Sequence, residues 1–407
     1  MSGRLIAKIA IGGVTILAMV GIYFGVQSNR IDVPKNQNGA PMVFSDSRML
    51  LELWSTYKKN ILEPGTLRAL DGHLGNATTS EGQSYTMMRA AWMDDQETFD
   101  DTWQWTKDNM QRDDKLISWR FGEKPDGSYG IQTEQGGQNT ATDADVDIAY
   151  ALVMASNRWK DDTYLYDAKD IIEQVWEKEV VRIQGNPVLV ANDIERRDKT
   201  SVVVNPSYFA PYAYRVFAEI DPAHDWDALV DNSYALLFAT ADATLDTESS
   251  AGLTPNWVRI NRTTGAAEPD SQLDTHYGYD AFRTPWRLAL DYRYNNDVRA
   301  KQVLEKYTTL KTDWRENNKL ASIYTHDGQV ETDDSVPSSY GASLGYFVLE
   351  DPEVATEIYE QKLLPNYNPD TQSWRTELSY YDDNWAWFGM ALYLDKLPDI
   401  AGTYGSE

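Results

Sequence analysis

The chain has 407 residues, with 63 acidic against 37 basic side chains, a formal net charge of −26, 42% hydrophobic and 12% aromatic residues, and no cysteine. That balance excludes a disordered or collagen-like chain and a disulfide or thiolate-metal scaffold. The charge opposes nucleic acid and anionic lipid headgroups over most of the surface, so a neutral or cationic ligand is expected.

At the N-terminus, Arg4 and Lys8 precede an uncharged run from Ile9 to Val26. As a helix it would span roughly 27 Å, close to the hydrocarbon core of a bilayer. No small-x-small cleavage site follows between Phe24 and Arg30. An uncleaved membrane anchor over residues 1–30 is therefore expected in preference to a removed signal peptide. Met1 then lies in the cytoplasm and the rest of the chain outside the cell membrane, as a single-pass protein. Residues 31–46 contain Pro and Asn without periodicity and read as a tether. Residues 47–399 show no Gly/Ser-rich or Pro-rich break and read as one domain, followed by a short tail at 400–407.

Helical spacing recurs along this domain. Ile172, Val175, Trp176 and Val180 follow i, i+3, i+4, i+8, and so do Trp226, Leu229, Val230 and Tyr234. Asp351-Pro352 ahead of Val354 and Ile358 supplies an N-cap and a first-turn proline, and Pro365 closes the same helix. Strand signals are shorter: Ser201 to Val204, and Trp257 to Arg262 before Thr263-Thr264-Gly265, read as hairpin pieces in loops. The pattern predicts an all-α toroid or bundle with small β insertions.

The chain has only 4 His, none close to another in sequence, so neither a zinc site nor a His-centred triad is supported. Three acidic segments stand out instead. Glu81 is a lone acid among small polar residues ahead of the apolar stretch Met87 to Met93. Read locally, it is a first-turn acid beside Ser80 that satisfies a helix dipole. Asp143, Asp145 and Asp147 alternate at the start of an apolar helical segment. They imitate a calcium loop, but Ile148 and Met154 occupy the places of its glycine and closing glutamate, which leaves at most an adventitious cation site. Asp280 lies among aromatics, with Arg283 three residues on and on the same helical face. Such a pair is more often structural than catalytic.

Together these segments resemble glycoside hydrolase family 8, the family of bacterial endoglucanases, chitosanases, lichenases and certain xylanases. The resemblance rests on Thr79-Ser80-Glu81-Gly82-Gln83-Ser84-Tyr85, on the run from Ala141 to Trp159, and on Tyr279-Asp280-Ala281-Phe282-Arg283-Thr284-Pro285-Trp286-Arg287, in that order. Ser118-Trp119-Arg120, Asn205-Pro206-Ser207-Tyr208 and Asn384-Trp385-Ala386-Trp387 extend it over roughly residues 47 to 395.

The resemblance implies an (α/α)6 barrel with an open cleft across one end and an inverting mechanism. Glu81 would be the general acid and Asp280 the general base, and inverting glycosidases hold such groups roughly 6.5 to 9.5 Å apart. Arg283 beside Asp280 would favour its charged form, and Trp92 or Tyr85 over Glu81 would keep that residue protonated. Asp143 would position the distorted sugar, Tyr208 would orient the base and its water, and Trp119 would be the main stacking platform. Trp385 is a second candidate platform, with Trp387, although a core tryptophan is the commoner role. An Asp in the Tyr-Asp-Ala-x-Arg context resembles the cellulase and xylanase subgroup and argues against a chitosanase. Substrate choice would lie in the loops 123–139 and 182–200.

The expectation is a monomeric, membrane-tethered enzyme cleaving β-linked bonds in an extracellular polysaccharide, a β-1,4-glucan or similar chain such as an exopolysaccharide of its own host, with neither cofactor nor metal required. The alternatives are a non-catalytic carbohydrate-binding protein on the same fold or a chitosanase or xylanase specificity, with an adhesion protein a more distant one.

Overall fold

The computed structural model describes residues 46–403, apart from Thr247 and Asp333. The expected anchor at 9–26 and most of the tether lie outside these residues. Among the described residues no helix is long and apolar enough to cross a membrane.

After α1 (Asp46–Asn60) the chain runs as successive helical pairs. These are α2 (Ser80–Met93) with α3 (Gln96–Asn109), α4 (Thr142–Trp159) with α5 (Asp162–Glu179), and α6 (Pro211–Ile220) with α7 (Trp226–Asp242). Next come α8 (Arg283–Asn295) with α9 (Val298–Leu304), then α10 (Thr308–Asn317), and α11 (Pro337–Glu350) with α12 (Pro352–Ile358). Last is α13 (Tyr380–Tyr393), whose outer partner is α1. Helices α2, α4, α6, α8, α11 and α13 touch one another in that order, and α13 returns to α2. This closed inner ring with an outer helix on each member is the expected (α/α)6 barrel.

The sequence explains which helices lie inside. A helix sandwiched between ring neighbours and an outer partner has no wet face. Accordingly α4 is buried without interruption from Thr142 to Ser156. The outer α5 instead buries one stripe, including Ile172 and Val175, with Trp176 half-buried. Val180, read from its spacing as part of that stripe, is where α5 stops and strand β4 (Val180–Ile183) begins. Asp351 caps α12 by accepting from Val354 N–H at 3.4 Å. Beyond Ile358 the chain continues as a π-turn (Tyr359–Leu363), and a 3-10 turn containing Pro365 ends it.

Helix α11 is seated unusually deeply. A Cβ on Gly341 would stand 2.1 Å from the Trp385 carbonyl oxygen, and one on Gly345 2.4 Å from that of Pro285. Any side chain at these positions would force the helices apart in an interior with no spare volume. Backbone-to-backbone packing thus draws α8 and α13 together against α11.

Short strands decorate the loops. Strands β1 (Thr78–Thr79), β2 (Arg120–Glu123) and β3 (Tyr129–Ile131) form one antiparallel sheet. The hairpin of β4 with β5 (Asn186–Leu189) follows. Strands β6 (Ser201–Val204), β7 (Val258–Asn261) and β8 (Ala267–Glu268) form a second three-stranded sheet. The expected hairpin pieces at 201–204 and 257–262 are thus two strands of one sheet that are distant in sequence. The packed region also runs past the expected boundary at Asp399. Asn157 Nδ2 donates to the Ile400 and Ala401 carbonyls at 2.9 and 3.0 Å, and Ala401 is buried.

Candidate active site

Because each inner helix returns through an outer one, the inner helices all start at the same end of the barrel. Glu81 lies in the first turn of α2, Asp143 in the first turn of α4, Arg283 opens α8 and Tyr380 opens α13. Their side chains meet. Thr79 fixes the start of α2 by accepting from Gly82 N–H at 3.0 Å, which sets the direction of Glu81.

Arg283 is the hub. Its Nη1 donates to Glu81 Oε2 at 2.5 Å and to Asp143 Oδ2 at 2.8 Å, while Nη2 donates to Asp280 Oδ1 at 2.6 Å. Its Nε donates to the Asp280 carbonyl at 3.1 Å and to Ser207 Oγ at 3.2 Å. The expected Arg283–Asp280 pair is therefore present, but it is not exclusive: one planar fork serves all three acids. The nearest oxygens of Glu81 and Asp280 are separated by no more than one guanidinium and two hydrogen bonds.

Environment distinguishes the three carboxyls. The side chains of Glu81 and Asp280 are 20% and 32% exposed, so both open to the cleft. Asp143 is buried, and burial pushes it up to about 7, with Arg283 opposing and the charge of Glu81 adding to the rise. Its Oδ1 is buried and accepts no hydrogen bond from the described residues.

The second oxygen of Glu81 accepts from the Tyr380 hydroxyl, and Tyr85 Oη lies 3.3 Å from Arg283 Nη1. Trp92, expected over Glu81, packs instead in the core against Trp286 and Phe388, because it sits three turns further along α2. Asp280 Oδ2 accepts from Trp257 Nε1 at 3.1 Å. Tyr208 stands edge-to-face with Trp257 at 5.6 Å, and the Arg283 guanidinium lies 5.1 Å from its ring. Tyr208 thus braces both groups that hold Asp280. Asn256 Oδ1 accepts from Gly278 and Ala281 N–H at 3.2 and 2.8 Å and fixes the loop carrying Asp280.

The alternating aspartates diverge to three partners. Asp143 meets Arg283, Asp147 pairs with Arg287 at 2.6 Å, and Asp145 Oδ1 accepts from Ile117 N–H at 2.8 Å. They converge on no common point where a cation could sit.

Trp119 is half-buried, its Nε1 donating to the Gly136 carbonyl at 2.9 Å. Ser80 N–H donates to the Trp119 carbonyl at 3.0 Å, which sets Trp119 beside Glu81. Trp385 is a correction. It is 1% exposed, packed edge-on between Tyr85 and Trp286 in the barrel core, and offers no open ring face to a sugar. Trp387 is likewise buried, donating to the Leu50 carbonyl at 3.1 Å. The residues that sequence reasoning missed are Tyr380, Trp257, Ser207 and Asn256. Ser207 lay inside a quoted motif and Trp257 opened a strand signal, whereas Tyr380 and Asn256 carried no local mark.

The glycosyl hydrolases family 8 profile matches residues 32–388. The chain belongs to that family. This family 8 chain is 30% identical over 312 residues to Endoglucanase A of Acetivibrio thermocellus, covering 72% of this chain and 61% of the relative. It is 29% identical to the Probable endoglucanase of Novacetimonas hansenii, covering 73% and 80%. It thus spans about six tenths of the first relative's length. Among solved structures, the endo-1,4-D-glucanase of Vibrio fischeri superposes with a TM-score of 0.70 at 24% identity, covering 84% of this chain and 94% of that one. A cold-adapted family 8 xylanase superposes with a TM-score of 0.68 at 17% identity, covering 88% and 92%. These likenesses establish a shared fold.

Proposed function

We propose that the protein is an inverting glycoside hydrolase that cleaves β-linked glucan chains, with Glu81 as general acid and Asp280 as general base. The observation that carries the proposal is the single Arg283 fork gripping Glu81, Asp143 and Asp280, two of which open to the cleft while the third is buried. In the reaction Glu81 gives its proton to the glycosidic oxygen as the bond to the anomeric carbon breaks. Asp280 takes a proton from the water that attacks that carbon from the opposite face. Asp143 positions the sugar at the bond being cleaved from beneath, with Arg283 linking it to both other acids. Trp119 supplies the stacking face, and Tyr208 keeps Asp280 and its water aligned. Exchange of protons with solvent resets both carboxyls.

Endoglucanase A and the Probable endoglucanase carry glucan-cleaving names, which supports a glucan substrate. The uncharged run at 9–26 supports a membrane-tethered enzyme that trims a polysaccharide outside the cell, such as one secreted by its host. The test is reducing-end release from carboxymethyl cellulose, mixed-linkage β-glucan, xylan, chitosan and host exopolysaccharide, with Glu81→Gln beside each. Release from a glucan, abolished in the variant and giving the inverted anomer by proton NMR, is expected. Binding without release would move the reading to a carbohydrate-binding protein.

A further inference from the structure

Behind the catalytic layer two carboxyl groups face each other away from water. Asp145, two residues after Asp143 on α4, and Glu179, the last residue of α5, are both 0% exposed. Asp145 Oδ1 accepts from Ile117 N–H at 2.8 Å, and Glu179 Oε1 accepts from the Thr140 hydroxyl. Their other oxygens, Asp145 Oδ2 and Glu179 Oε2, have no donor, although the two carboxyls lie within hydrogen-bonding reach of each other. Two ionised carboxylates offer only acceptors, so this contact closes only when one of them carries a proton.

The positive charge acting on the pair is already engaged by other acids. Arg112 acts on Asp145 from a distance but is held by Asp193 at 2.9 Å and by Asp114 at 2.7 Å. Asp193, in the 3-10 turn packed on α5, adds negative charge, and Thr140 and Thr142 contribute hydroxyls alone. Burial first, then the charge of Asp193, pushes Glu179 up to about 8, and burial with the charge of Glu179 holds Asp145 well above the carboxylate range.

The pair has a route to the cleft. It fixes Ile117, and two residues on Trp119 N–H donates to the Asn139 carbonyl at 2.8 Å, while the Trp119 carbonyl accepts from Ser80, next to Glu81. Asp145 also lies in the same first turns of α4 as Asp143.

We propose that Asp145 and Glu179 are positioning residues that share one proton, and that this proton holds Trp119 and Asp143 where the cleft needs them. For its activity readout the proposal rests on the hydrolase reading above; for the proton it rests on the carboxyl pair alone.

The sign follows from linkage. Glu179 releases its proton near 4.5 when unfolded and about 8 when folded, so stability falls as pH rises between those values and the cost is complete above the higher one. The experiment measures KM and kcat on soluble β-glucan, and Tm, from pH 5 to 10 for the wild type, Glu179→Gln and Glu179→Ala. In the wild type KM should rise more than kcat falls above about pH 8, whereas Tm should drop from pH 5 up to about pH 8 and level off beyond it. Glu179→Gln, whose amide donates to Asp145 without titrating, should keep a neutral-pH KM near the wild-type value and lose the alkaline rise. Glu179→Ala should raise KM about tenfold or more at every pH. A Glu179→Gln profile that tracks the wild type in both KM and Tm would overturn the proposal, as would one as damaged as Glu179→Ala at pH 7. Should the wild type cleave no glucan, the hydrolase reading fails. The same comparison is then made from the melting curves and from quenching of tryptophan fluorescence by cellohexaose, with the same two outcomes.

Discussion

Replacing Arg283 by lysine keeps the positive charge and removes the fork. In the structure the guanidinium makes three charge-assisted bonds, at 2.5, 2.8 and 2.6 Å, to carboxylates from three separate segments. A lysine ammonium is a compact point donor on a differently shaped stem, and from a buried position it serves one of these acids well and loses the other two. Each hydrogen bond to a charged group contributes about 1.5 to 3 kcal/mol, so losing two costs roughly 3 kcal/mol or more, partly offset by relaxation. At about 2 to 4 °C per kcal/mol for a domain of this size, Tm should fall by roughly 5 to 10 °C. The catalytic loss is larger, because Glu81 and Asp280 are no longer fixed relative to each other, and a displacement of about 1 Å costs on the order of 100-fold. Initial rates on cellohexaose, fitted for kcat and KM beside thermal melts, check both numbers. The fall should be in kcat more than KM. A variant whose kcat stays within about threefold of the wild type, less than one hydrogen bond's worth, would refute the idea that this fork sets the catalytic spacing.

Glu81→Gln and Asp280→Asn should each lower kcat by about 100-fold to 10,000-fold while Tm changes little, since each amide keeps an oxygen that accepts from Arg283. Trp119→Ala should raise KM several-fold with a small change in kcat. Trp385→Ala should instead cost about 3 to 5 kcal/mol of stability and leave KM alone, because its ring is core; a raised KM at full stability would reverse that assignment. Asp143 titrates at about 7 when folded against 3.8 in the open chain, so it makes stability fall as pH rises through that interval. Asp143→Asn should flatten the Tm profile from pH 4 to 7, and an unchanged slope would place the titration elsewhere.

The chemistry was legible where a functional side chain belongs to a short local segment. Glu81, Asp143 and Arg283 each sit within one turn of a helix start, in runs of ordinary capping and small residues that carry a recognisable pattern. The tryptophans of the last motif were harder, since a ring facing a sugar and a ring facing the core have the same spacing on a helix. Tyr380 reaches Glu81 across 299 residues, and nothing in its own neighbourhood announces that contact. The pairing of Asp145 with Glu179 joins the start of one helix to the end of the next, which periodicity cannot report. The contact of Arg283 with Asp280 was expected from their three-residue spacing, which says nothing of the two acids that other helices bring to the same guanidinium. The all-α class followed from repeated helical patterns and the barrel from the family resemblance, whereas the β6–β7 partnership depended on a long return of the chain.

The ring closes at its seam through α13, which packs on α11 and α2 on the inside and on α1 outside. The last inner helix therefore delivers Tyr380 to a glutamate on the first, and the first helix of the described chain waits for the last to cover it. A nascent chain leaving the ribosome can pair its early helices locally, yet it holds no finished acid site until residue 380 and the helix behind it have emerged. Hydrolysis during refolding should thus lag the recovery of helical signal, and a chain ending before α13 should be helical and inert. Turnover would in that sense clock ring closure, since Tyr380 meets Glu81 only when the last inner helix reaches the first.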